Sequence, residues 1–95
     1  MINITLHLQD DQEYEALRQD YKNLEYGRVL AYISDGRQCH TILVEDGTVT
    51  DIIGQKQDED CCSDNYETVD VVKRPELLSE ETLEDFIPKL LALVL

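Results

Sequence analysis

Cys39-His40-Thr41-Ile42-Leu43-Val44-Glu45-Asp46-Gly47-Thr48-Val49-Thr50-Asp51-Ile52-Ile53 is the stretch on which the fold turns. Two runs rich in β-branched residues flank Asp46-Gly47, a dipeptide that tolerates the positive φ of a tight reversal. The stretch therefore predicts the central hairpin of a sheet. A two-residue turn and a three-residue turn with a glycine bulge pair the strands one residue apart, so cross-strand partners stay open here. Neighbours on a strand point to opposite faces, which predicts that of Cys39 and His40 one lies in the core and the other is exposed.

Outward from the hairpin, Arg28–Ser34 reads as a strand with Val29, Ala31 and Ile33 on one side and Leu30 and Tyr32 on the other. Apolar residues on both sides mark an interior strand. Ser34-Asp35-Gly36-Arg37 is turn chemistry. Further back, Ile2, Ile4, Leu6 and Leu8 alternate with Asn3, Thr5 and His7, the period of a strand with one buried face. Asp10 with Glu13 makes a capping box for a helix over residues 11–26, whose apolar stripe is Tyr14, Leu17, Tyr21 and Leu24 and whose stop is Gly27. Tyr14 and Tyr21 are core candidates on that stripe.

Toward the C-terminus the pattern lapses over residues 55–65, a polar loop much longer than the usual connection of about 4 to 6 residues. Tyr66–Lys73 resumes it as a fifth strand, ended by Arg74-Pro75. Ser79 is the expected cap of a second helix with Glu80 and Glu81 at its positive dipole end and Leu83, Phe86, Ile87, Leu90, Leu91 and Val94 at helical spacing. Pro88 implies either a kink or a fresh start. Strand, helix, four strands and helix, β-α-β-β-β-β-α, define an α+β domain of about five mainly antiparallel strands with two helices, covering residues 1–95 as one unit. The helix between strands one and two leaves room for a parallel crossover.

Composition bounds the function. The 95 residues include 21 Asp and Glu against 8 Lys and Arg, a formal charge of -13. Such a field repels nucleic-acid phosphates and anionic membranes, so direct nucleic-acid or membrane binding is not expected and a macromolecular partner should be basic. No secretory leader pattern opens the chain and no run approaches the ~20 apolar residues of a membrane span, so a cytoplasmic protein is expected. Cys39, Cys61 and Cys62 are odd in number, two of them adjacent, which predicts reduced thiols and no disulfide framework.

Catalytic constellations are sparse. Asp58, Glu59, Asp60 and Asp64 bracket Cys61 and Cys62, but they lack the alternation, central glycine and terminal glutamate of a calcium loop. Cys39-His40 and Cys61-Cys62 offer four zinc-type ligands in directly adjacent pairs, whereas structural zinc uses ligands two or more residues apart. Acidic neighbours also disfavour the thiolate of Cys61 and Cys62. No metal or cofactor is expected. An enzyme would need His7 or His40 beside an acid in a cleft, and no motif supplies one, so the chain reads as non-catalytic.

Surface recognition remains. The reading is a small acidic binding protein that docks on a basic site, either as a nucleic-acid-mimicking inhibitor of a nucleic-acid-binding enzyme or as an immunity-type partner of a toxin. Glu45, Asp46, Asp58, Glu59, Asp60, Asp64 and Tyr66 are its candidate contacts, with Tyr26 and Tyr32 as further interface aromatics. The alternative is an adaptor or self-assembling subunit. Its basis is the apolar end of the chain, where Leu91, Leu93 and Leu95 would meet a second copy in a homodimer unless the tail folds back into its own core.

Overall fold

At the hairpin, Asp46 and Gly47 adopt φ of 52° and 78°. Positive φ at both central residues is the reversal whose twist matches that of paired strands, so the turn has two residues and Glu45 faces Thr48. From this turn grow β3 (Gln38–Glu45) and β4 (Thr48–Lys56). The computed structural model describes residues 2–24, 26–56 and 66–94, and β1 (Asn3–Leu6), β2 (Arg28–Ser34) and β5 (Tyr66–Lys73) complete the sheet. The strands lie in sequence order, every neighbouring pair antiparallel. With α1 (Asp11–Asp20) and α2 (Leu83–Val94) this is the expected α+β fold in the expected order.

The parallel crossover is not used. Leu6 at the end of β1 faces Ala31 near the start of β2, so the helical segment returns the chain to the end of the sheet it left. Strand β2 departs from simple alternation. Its register slips between Val29 and Ala31, a bulge that leaves Val29 39% exposed and turns both Leu30 and Ala31 into the core at 0%.

Ala31, Ile33, Ile42, Val44 and Val49 share one sheet face by register, and Tyr14, Leu17, Phe86 and Leu90 of the two helices pack with them in one cluster. Both helices thus cover the same face. The rings of Tyr14 and Phe86 lie 5.2 Å apart at 44° and tie α1 to α2, an aromatic contact worth about 0.5 to 1.5 kcal/mol beyond its buried area. Tyr14 and Tyr21 are core residues as expected, the second at half burial.

Helix ends differ from the sequence reading in instructive ways. The Asp10 carboxylate accepts from Glu13 N–H at 2.9 Å as a capping box requires, while the Glu13 carboxylate reaches Gln9 N–H, one residue before the cap. The α-helix stops at Asp20 and tightens into a 3-10 turn, Tyr21–Asn23, which stacks Tyr21 and Leu24 on the core at three-residue spacing. Ser79 does not cap α2. Pro75 pre-sets a separate 3-10 turn, Pro75–Ser79, which buries Leu77 and Leu78. Glu80 is then extended, and Thr82 Oγ1 accepts from Asp85 N–H at 3.2 Å as the cap. The helix runs on through Pro88, which costs the Glu84 carbonyl its usual donor without ending the element.

Candidate functional site

The starts of the two helices meet. Asp11 Oδ1 accepts from the Leu83 N–H at 3.0 Å, so a side chain of α1 satisfies one of the orphan amides of α2 across 72 residues of sequence. Three more contacts hold the seam: Tyr14 donates its hydroxyl to the Glu80 carbonyl at 2.7 Å, and Arg18 donates to the carbonyls of Leu78 and Glu81 at 3.3 Å each. Burial pushes the Tyr14 hydroxyl up to about 12, with Glu80, Glu15 and Asp85 adding to the rise and Arg18 opposing it.

That seam concentrates charge. Asp10, Asp11, Glu81, Glu84 and Asp85 are all exposed around it. Among the described residues the ion pairs of this region engage other acids: Glu13 with Arg28, Glu15 with Arg18 and Glu80 with Lys89. Five carboxylates therefore remain without a cation on one side of the molecule. Helix-start amides hold two of them in place, since Asp10 Oδ1 accepts from Glu13 N–H of the helix it caps and Asp11 Oδ1 from Leu83 N–H of the other helix. Sequence reasoning saw Asp10 as a helix cap and Glu81 as a residue at a helix dipole end, and missed the convergence of the five.

A second polar group lies inside the fold. Asp51 is fully buried and its two oxygens lie 3.0 and 3.1 Å from His40 Nδ1, while Arg74 approaches it at 3.3 Å. A carboxylate only accepts, so His40 Nδ1 carries the hydrogen. His40 sits opposite Ile33 and Ile53, and Asp51 opposite Ile42 and Val72, so the two meet diagonally across the covered face. The Nε atom of Arg74 is buried without a partner. The fold thus gives His40 an acid neighbour, though Cys39 belongs to the opposite face of β3 and is no nucleophile for the pair. Among the described residues no group of three His, Cys, Asp or Glu could hold a metal. Cys39 and His40 are both buried, at 5% and 7%, contrary to the expected split: His40 lies on the helix-covered face, while on the other face the Cys39 Sγ sits beside Gly54, where no side chain intervenes.

The sequence-derived contacts are scattered. Glu45 and Asp46 are exposed at the β3–β4 turn. Tyr66 is half-buried at the far end of the sheet, opposite Lys56. At a rise of about 3.3 Å per residue, β4 separates the two places by roughly 26 Å, so they do not form one patch. Asp58, Glu59, Asp60, Asp64, Cys61 and Cys62 lie outside the described residues. Tyr26 is 84% exposed. Leu91 and Leu93 are half-buried, packed in part against the chain's own core, and Leu95 lies outside the described residues.

Among the described residues no helix is long and apolar enough to cross a membrane. Compared with protein-family models, with curated proteins and with solved structures, the chain matches none.

Proposed function

We propose that this is a small non-catalytic binding protein whose acidic surface docks on a basic macromolecular partner, either the nucleic-acid site of an enzyme or a toxin. The observation that supports it is the helix seam. Five exposed carboxylates from segments some 70 residues apart in sequence stand on one side of the molecule, without ion-pair partners among the described residues and joined by hydrogen bonds between the two helix starts. Like charges held together cost stability unless something oppositely charged shares the surface, and clustered charge raises the encounter rate with a complementary partner. The reading carries a cytoplasmic setting, in which the buried free thiol of Cys39 stays reduced.

The test is capture from native lysate on immobilised protein, comparing the wild type with a Glu81→Gln, Glu84→Gln, Asp85→Asn variant. A basic protein held by the wild type, released by salt and lost by the variant is the expected result. A captured protein that the variant holds equally well refutes the seam as the docking surface.

A further inference from the structure

The sheet has two edges of different character. Strand β1 has four residues, whereas β5 has eight, of which all but Tyr66 and Val72 are exposed. Val69 and Val71 stand 49% and 53% exposed. The direction of each β5 amide follows from one bond. Arg74 donates its N–H to the Val49 carbonyl at 2.8 Å, and the register runs unbroken from Lys73 opposite Thr50 to Asp70 opposite Ile53. Backbone groups alternate along an antiparallel strand, so Arg74, Val72 and Asp70 face β4, while the N–H and C=O of Val71 and Lys73 point away from the sheet.

One of these outward donors is plugged from within the strand. The Asp70 carboxylate accepts from Val71 N–H at 2.8 Å, which confirms the outward direction and blunts the edge. The plug is a negative charge, so an incoming strand that takes the Val71 amide releases a carboxylate that must find a donor. A strand with Lys or Arg supplies it; a second copy of this acidic chain brings another Asp70 and Glu67 instead. We propose that β5 is a strand-addition site for an extended, basic segment of the partner, pairing with the outward groups of Val71 and Lys73 while its cations take up Asp70 and Glu67. This deepens the proposed function by adding a backbone-directed contact to the acidic one.

The test uses the full isotope-labelled chain and two capped eight-residue peptides, one alternating lysine and valine, the other glutamate and valine. Amide exchange at Val71 and Lys73 should slow at least tenfold with the lysine peptide and stay unchanged with the glutamate peptide. Val71→Pro removes an outward donor without touching the β4 ladder and should abolish the protection at Lys73. Asp70→Lys, which leaves the backbone intact, should reverse the peptide preference and decides the matter if the proline variant does not fold. Binding of the lysine peptide that perturbs only the helix seam, no binding of it to the folded protein, or equal protection in Val71→Pro overturns the strand-addition site. The first of these outcomes leaves the acidic docking reading standing, and loss of the seam dependence in lysate capture would remove that reading independently.

Discussion

Replacing Asp51 by Asn keeps the shape of the side chain and removes its charge from a site with no solvent access. In the wild type this carboxylate serves His40 at 3.0 and 3.1 Å and Arg74 at 3.3 Å. Breaking a buried charged pair by removing one partner costs about 3 to 5 kcal/mol, because the survivor stays buried and uncompensated. The survivors here differ. The His40 side chain is 9% exposed and cannot escape, whereas Arg74 at 20% can swing its guanidinium toward water. The cost should therefore fall at the lower end, about 3 kcal/mol, a large part of the 5 to 15 kcal/mol that holds a small domain together. With a urea slope of about 1 to 1.5 kcal/mol per molar, the unfolding midpoint should drop by roughly 2 to 3 M. The double replacement His40→Leu with Asp51→Leu leaves only Arg74, whose guanidinium can reach water, and should be the milder change despite altering more atoms, since apolar substitutes for a buried pair are often neutral. A loss below about 1 kcal/mol for Asp51→Asn, or a double variant as unstable as the single, would refute the view that uncompensated burial dominates at this site.

Tyr14 predicts an alkaline signature. The folded state holds a proton up to about 12 that the unfolded chain releases near 10.0, so the contribution of Tyr14 to stability is constant below pH 10 and is lost as the pH rises through that window. Tyr14→Phe should lose about 1 kcal/mol at neutral pH, by leaving the Glu80 carbonyl without its donor, and should lack its part of the alkaline decline in denaturant titrations. Gly54→Ala should destabilise by about 1 to 3 kcal/mol, since the added Cβ would stand 2.9 Å from Cys39 Sγ and 3.2 Å from Tyr66 Cβ. Cys39→Ala in the same chain should recover part of that loss in a double-mutant cycle, and strict additivity would count against the contact.

Much of the fold was legible because local chemistry and tertiary packing agree. The β-branched runs around Asp46-Gly47 and the limits of β2 and β5 could be read directly, since each run ends in turn residues. Where the two levels part, the reading failed for nameable reasons. Ser79 has the chemistry of a cap, but Pro75 opens a 3-10 turn that puts its hydroxyl on the Glu76 carbonyl. Leu30 belongs to the outer face by alternation and reaches the core through a bulge, which no residue in β2 announces. The His40–Asp51 pair depends on a register that the turn length had to fix first, and Arg74 joins it only because β5 lies beside β4. The charge was plain in composition, but its arrangement was not. Hydrophobic spacing says which residues of α1 and α2 face the core and nothing about which end of one helix lies against which end of the other.

The most direct test of the acidic docking surface is the association rate of the captured partner as a function of ionic strength. Charges separated by more than about 8 Å are screened at physiological salt, so steered association should slow by one to two orders of magnitude between low and high salt, with dissociation changing far less. An association rate that stays constant across that range would contradict the account.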